Sequence, residues 1–340
     1  MVERVVTAGA VVLGKTNTPE FGLLDMTFNR LGEDCRNPWN LDHTPGGSSG
    51  GAGAQVAAGL GPLAIGTDGA GSIRIPCFYN GIYGLKPTFG RIPHVGWKGA
   101  PRTSHQGPMT RTVRDAVLIM QATSGPDERD ALCIKTAPPN FLEALEPRLL
   151  AGTKVAFSLD YGYIETDPEI CQAALDAADL LRSLGCEVAP SDPPRPDQPA
   201  GVADLTPADE YAYAIDICPD LEERLDELTD YGRRAIEAGR AALAWKYSAA
   251  LRRGDAWVAA VHRWFQDFDF FLSPVMGQMA PRYDDRRPIW ERLPWPGMFL
   301  PIFNASGNPA ASVPFGFHSN GLPLAVQIAG RWGDDVGVLR

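Results

Sequence analysis

The chain reads as an α/β protein built on a mixed β-sheet. Three observations predict this class. Short apolar runs of strand length, such as Lys154-Val155-Ala156-Phe157 and Phe270-Phe271-Leu272-Ser273-Pro274, recur along the chain. Segments of helical period, such as Glu169–Leu184, lie between them. Alternation of the two is the signature of a sheet packed with helices. Finally, 340 residues that are 44% hydrophobic suffice for a sizeable core, in one large domain or two smaller ones.

Taken in order, Met1–Gly9 reads as the end of a helix, and Ala10-Val11-Val12-Leu13 as a short buried strand closed by Gly14. Residues 27–45 are polar and irregular, with a turn expected at Asn37-Pro38-Trp39-Asn40. The run Gly50–Leu60 is rich in Gly and Ala, which suits a helix packed tightly on a sheet, and Leu63-Ala64-Ile65-Gly66 is the next strand. A helix opens over Arg111–Ala116 and continues through Met120. After the strand at 154–157, Glu169–Leu184 is amphipathic, Gly185 stops it, and Cys186-Glu187-Val188 is the following strand. The proline-rich stretch 189–202 reads as a surface loop, and 207–268 as mostly helical. Phe270–Pro274 is a strand, and Ala310–Gln327 supplies two more around Gly321-Leu322-Pro323.

Bulk properties exclude several classes. The net charge is −10, with no basic run, so nucleic acid is not expected as a direct ligand. No span is long and apolar enough for a membrane helix, and the N-terminus lacks a signal-peptide pattern. The six cysteines form no C-x-x-C pair and have no histidine at metal-ligand spacing, which fits free thiols in a reducing compartment and a cytoplasmic location. No motif calls for a metal ion or an organic cofactor.

The chemistry concentrates in two glycine-rich turns, Gly46-Gly47-Ser48-Ser49-Gly50-Gly51 and Gly66-Thr67-Asp68-Gly69-Ala70-Gly71-Ser72-Ile73-Arg74. Glycine permits positive φ and close backbone approach, so each turn can present a serine among exposed N–H groups. Isolated Gly-Ser pairs usually mark nothing more than tight turns. Two dense ones flanking a single helix–strand unit are harder to explain as packing. Two other motifs match literally. Gly9–Thr16 fits G-x-x-x-x-G-K-T, but Ala10–Leu13 read as the strand itself and no long helix opens at Thr16, so the context of a phosphate loop is missing. Gly46–Gly50 fits the G-x-S-x-G nucleophile elbow, but Asn40–Pro45 is a poor strand. Only His262 or His318 could close its triad, and neither has a distinctive setting.

Together the two turns resemble the amidase signature family of serine hydrolases. The likeness extends to Leu13-Gly14-Lys15-Thr16-Asn17, Glu20-Phe21, Asn37-Pro38-Trp39, and Gly81 with Gly84-Leu85-Lys86-Pro87-Thr88. It continues through Gly90-Arg91, Gly107-Pro108-Met109-Thr110-Arg111, Asn304 with Gly307-Asn308-Pro309, and Gly321-Leu322-Pro323 with Gln327. The resemblance implies an amidase signature fold, a central mixed sheet covered by helices on both sides. It implies a single domain over 1–340, with a signature core at 1–190, a mostly helical substrate-side region at 191–300 and a return to the core sheet at 301–340.

The resemblance also implies a Ser–cis-Ser–Lys triad, with Ser72 as nucleophile and Ser48 as the bridging serine behind a cis Gly47–Ser48 peptide. A neutral lysine takes a proton from Ser48, which takes one from Ser72; Ser72 then forms an acyl-enzyme that water hydrolyses. Backbone N–H groups of Gly69, Ala70 and Gly71, with that of Ser72 as a further donor, are implied as the oxyanion and substrate-binding elements, and Ser49 beside them is read first as a hydroxyl that hydrogen-bonds the turn. Thr67, Asp68 and Arg74 are implied as supporting residues, and Arg74 is read as pairing with a carboxylate to fix the turn.

The family's lysine lies in an earlier apolar-Lys-Asp strand. Among Lys15, Lys86, Lys98, Lys135, Lys154 and Lys246, none has that context, and Lys15 and Lys86 match other family motifs. Both ends of the chain look truncated, so impaired activity and self-association through uncovered apolar surface are expected. The leading expectation is hydrolysis of a small-molecule carboxamide, with esters as further substrates. The alternatives are the amidase component of a tRNA-dependent glutamine amidotransferase, or a catalytically dead scaffold. Pocket walls are expected from 95–106 and 207–300, where Trp290, Trp295 and Phe299 suit an apolar group.

Overall fold

A computed structural model of the chain describes residues 1–96, 102–195, 202–287, 289–292 and 299–340. In chain order its elements are α1 (Val2–Thr7), α2 (Gly50–Ala57), β1 (Leu63–Asp68), α3 (Arg74–Asn80), β2 (Tyr83–Lys86), β3 (His105–Thr110) and α4 (Val113–Thr123). They continue as β4 (Lys154–Phe157), α5 (Pro168–Ser183), β5 (Glu187–Pro190), α6 (Val202–Ile217), α7 (Asp230–Arg240), α8 (Ala244–Trp264) and β6 (Phe270–Pro274). The last are α9 (Ile289–Arg292), α10 (Pro301–Ala305), β7 (Ala310–Phe317), β8 (Pro323–Gly330) and α11 (Asp335–Leu339).

Local chemistry sets the helix boundaries. Thr112 caps α4 by accepting from the Asp115 N–H, and Asp167 caps α5 by accepting from the Glu169 and Ile170 N–H groups, with Pro168 in the first turn. Gly185 follows α5 at φ 92°, a left-handed position that glycine occupies without steric cost.

The strands form one eight-stranded sheet in the order β1-β3-β2-β7-β8-β6-β4-β5. The β1–β3, β2–β3, β2–β7, β7–β8 and β6–β8 pairs are antiparallel, and the β4–β6 and β4–β5 pairs are parallel. Helices cover both faces, as period-two alternation requires. In β4, Val155 and Phe157 pack with Ala174 and Ala178 of α5, whereas Ala156 between them joins Val261, Phe265, Phe299 and Phe303 on the other face. Near the other end of the sheet, Tyr83 and Leu85 of β2 pack with Val117 and Met120 of α4. The layer α6–α7 has its own small cluster of Ala214, Leu221, Leu228 and Ile236. No described helix is long and apolar enough to cross a membrane.

Most of the expected elements form, but four findings differ. Ala10–Leu13 is not a strand: Val11 and Leu13 are 82% and 78% exposed and no described strand lies beside them. An apolar run becomes a strand only when a partner completes its ladder. The elements α3, β2 and β3 carry no clear period in the sequence and form nonetheless. A short helix, α11, closes the chain where no helical segment was marked. Finally, β5 extends to Pro190, into the stretch read as loop, while residues 196–201 of that stretch lie outside the described residues.

Candidate active site

The first glycine turn leads into α2 and the second joins β1 to α3, so one helix–strand unit carries both. Ser49 ties them together. Its N–H donates to the Ser72 carbonyl at 3.2 Å, its hydroxyl donates to the Thr67 carbonyl at 3.2 Å, and it accepts from the Thr67 N–H at 3.1 Å. Ser48, next in the chain, is thereby held beside the Ser72 turn. The Gly47–Ser48 peptide is cis. Gly47 lies so close to the 24–26 backbone that a Cβ there would meet the Leu24 carbonyl oxygen at 2.3 Å.

Ser72 is half-buried and Ser48 is 6% exposed. Among the described residues neither hydroxyl has a hydrogen-bond partner, which leaves both available to a bound molecule. Around Ser72 the N–H groups divide. Those of Gly69, Ala70 and Ser72 find no acceptor among the described residues, whereas that of Gly71 donates to Asp68 Oδ1 at 2.7 Å. The expectation that Gly71 offers its N–H to an oxyanion is corrected by this bond, because the donor is already used. Both sides of the Ser49 hydroxyl are taken by the Thr67 backbone, the turn hydrogen bonding expected of it. The Thr67 residue itself is exposed and contributes its backbone to this brace.

Behind the turn lies a wholly buried polar cluster. Arg74 Nε donates to Asp68 Oδ2 and Nη2 to Oδ1, each at 2.9 Å, and both side chains are fully buried. Arg74 also donates to the Leu300 carbonyl, to Gln327 Oε1 at 2.8 Å and to Asn304 Oδ1 at 2.5 Å. Asn304 Nδ2 returns to Asp68 Oδ1 at 2.8 Å, and Gln327 reaches Ser273 Oγ at 3.2 Å. Burial alone pushes the Asp68 carboxyl up, but the Arg74 charge and the bonds from Arg74 and Asn304 outweigh it and hold it below the usual carboxylate range. The ion pair fixes the turn from below and touches neither serine hydroxyl. Asn304 and Gln327 complete it; both were visible only as motif positions, since their partners Asp68 and Arg74 lie far back along the chain.

Lys86, on β2, is fully buried. Its Nζ donates to the Asn308 carbonyl at 2.5 Å and the Pro87 carbonyl at 3.2 Å, and to neither serine. Burial, reinforced by Arg74, pushes its ammonium well below the lysine range. No described lysine donates to Ser48 or Ser72, and Lys98 lies outside the described residues. His105, also buried, donates from Nδ1 to the Thr103 carbonyl at 2.8 Å, and burial with the nearby Lys86 charge pushes its imidazole well below the histidine range. His262 bonds the Ser306 carbonyl at 2.8 Å and His318 faces Asp167 and Glu169, so neither joins the serine turns. A cleft of about 400 Å³ lined by His262, Phe265, Gln266, Asn308, Arg331 and Trp332 contains neither serine. Of the aromatics expected at the substrate, Phe299 is fully buried in the core, while Trp295 and the side chain of Trp290 lie outside the described residues.

An eight-stranded mixed sheet with two joined serine turns, one of them cis, defines a hydrolase-like α/β enzyme rather than a nucleotide-binding or elbow-type fold. The Amidase family model matches residues 1–339. The chain is 38% identical to an acylamidase of Rhodococcus erythropolis over all of its own length and 72% of that protein's. It is 34% identical to the A component of the glutamyl-tRNA(Gln) amidotransferase of Desulforapulum autotrophicum, over 98% of this chain and 74% of that protein. Among solved structures, a bacterial aryl acylamidase of the amidase signature family superposes with a TM-score of 0.88 at 30% identity, covering 99% of this chain and 72% of that one. The substrate complex of 6-aminohexanoate cyclic dimer hydrolase does so with a TM-score of 0.88 at 31% identity, covering 99% and 75%. The chain belongs to the amidase signature family of amide hydrolases.

Proposed function

We propose that the chain cleaves a small-molecule carboxamide through an acyl-enzyme on Ser72. Ser48 takes the proton that Ser72 loses when it attacks the carbonyl, and its own hydroxyl proton goes to the nitrogen of the departing amine. The N–H groups of Gly69, Ala70 and Ser72 receive the oxyanion. Departure of the amine and attack by water then return Ser72 to its starting state. The observation that carries this reading is that Ser49 joins the two serine turns while neither the Ser48 nor the Ser72 hydroxyl has a hydrogen-bond partner among the described residues. An acyl-anilide is the first substrate to try, because relatives named as acylamidases span the whole chain. Esters are a second. The six free cysteines accord with action in the cytoplasm.

The likeness to the amidotransferase components favours a second reading, release of ammonia from glutamine for a partner protein. The deciding experiment is the intact mass of the chain after incubation with a fluorophosphonate, beside Ser72→Ala. One adduct, lost in the variant, supports the reading. An adduct that persists in the variant, or none in either, overturns it. Ammonia release from glutamine with no aniline release from an acyl-anilide would favour the second reading.

A further inference from the structure

Ser48 has a neighbour that the chemistry above does not use. Residues Glu20–Gly22 form a single tight turn in which Phe21 sits at φ 52°, ψ 10° and Gly22 at φ 75°. A Cβ built on Gly22 would lie 3.5 Å from Ser48 Oγ and 3.7 Å from Ser48 Cβ, and would meet nothing else within 4 Å. The turn thus faces the serine directly.

The other side of the same turn is anchored in the helical layer. Glu20 Oε2 accepts from the Thr229 N–H at 2.9 Å and from Thr229 Oγ1 at 2.6 Å, and Thr229 is the residue that caps α7. The Glu20 N–H donates to Tyr231 Oη at 2.7 Å, and Tyr231 Oη donates to the Phe28 carbonyl at 2.8 Å. Phe21 packs against the Ala214, Leu221, Leu228 and Ile236 cluster. A left-handed Phe is disfavoured and persists only where its surroundings over-determine it. Here they do so from two directions, through the Glu20 carboxylate and through the Phe21 ring.

We propose that the Glu20–Phe21–Gly22 turn is a positioning device through which helices α6 and α7 set the placement of the Ser48 hydroxyl. The inference rests on the reading of Ser48 as the proton relay. Ser48 Oγ has no hydrogen-bond partner among the described residues, and the Ser48 side chain borders the space on the Cβ side of Gly22. Releasing the Glu20 anchor lets Phe21 relax toward the right-handed region and withdraws Gly22 from the serine.

The test compares the whole chain with Glu20→Ala, Glu20→Gln and Ser72→Ala. Two readouts are taken: amide exchange over residues 46–51, and the saturation kinetics of fluorophosphonate labelling. Glu20→Ala is expected to speed exchange at 46–51 and to lower the limiting labelling rate about tenfold, with the half-saturating concentration little changed, because misplacement acts on the chemical step. Glu20→Gln keeps an acceptor for Thr229 and is expected to recover most of that rate. Unchanged exchange or an unchanged limiting rate in Glu20→Ala overturns the inference. Equal losses in both variants, with faster exchange throughout α6–α8, reduce Glu20 to a structural role and also overturn it. Labelling absent in the unsubstituted chain, or equal in Ser72→Ala, overturns instead the reading of the serines, and the inference falls with it.

Discussion

Asp68 and Arg74 stand six residues apart and meet as a wholly buried pair, two 2.9 Å bonds joining the carboxylate to the guanidinium across the turn that carries Ser72. Removing one member leaves the other charged and dry. Arg74→Met is therefore expected to lose about 3–5 kcal/mol of stability. Urea unfolding of the variant beside the parent chain checks this, and a loss within about 1 kcal/mol, a small fraction of that range, contradicts it.

The same pair sets an acid limit. The folded-state value of Asp68 lies below its unfolded value, so its contribution is complete above the unfolded carboxylate range, about 3.9, and is lost as pH falls toward the lowered value. The stability gap between the parent and Asp68→Asn is expected to hold steady from about pH 5 to 8 and to shrink below about pH 4. Denaturant midpoints across that range measure it.

Glu210 carries the opposite sign. Burial, with the neighbouring Asp209 charge, pushes its carboxyl up to about 7. A carboxyl raised in the folded state binds protons that the unfolded state has released, so stability falls as pH rises from the unfolded carboxylate range toward 7. Glu210→Gln is expected to melt higher than the parent at about pH 8 and level with it near about pH 4.5; thermal melts at both pH values check this.

Two glycines of the site are expected to respond differently to a methyl group. At Gly47 a Cβ would lie 2.3 Å from the Leu24 carbonyl oxygen and 2.8 Å from the Met26 nitrogen, both backbone atoms that cannot step aside. Gly47→Ala is expected to cost about 3 kcal/mol or more. At Gly69 a Cβ meets nothing within 4 Å among the described residues, so Gly69→Ala is expected to fold within about 0.5 kcal/mol of the parent. Its methyl enters the open side of the Ser72 turn, and slower fluorophosphonate labelling is the expected consequence. Melting and labelling of both variants decide it.

The sequence was most legible where a residue acts on its near neighbours. The two glycine turns, the helices that Thr112 and Asp167 cap, and the pairing of Arg74 with a carboxylate are all local relations. It was least legible where structure is a property of pairing. Ala10–Leu13 has the composition of a strand and no described partner to make it one. Helix α3 escaped notice because all seven of its residues, Arg74–Asn80, are buried, so no polar face marks a helical period. The four-residue β2 is buried along its whole length and shows no alternation. The fate of the Gly71 N–H could not be read either, because whether a turn donor faces a ligand or its own Asp68 depends on how the turn closes.

The β7–β8 hairpin is the seam between the two halves of the sheet: β7 pairs with β2 through Ser312 and Gly84, and β8 pairs with β6 through Ile328 and Leu272. On the ribosome, β1–β3 and β4–β6 emerge long before it. A nascent chain that has not yet reached residue 330 holds two half-sheets with bare edges at β2 and β6, each able to recruit a foreign strand. The β7–β8 stretch thus governs whether the nascent sheet closes on itself or needs a chaperone's shelter until it can.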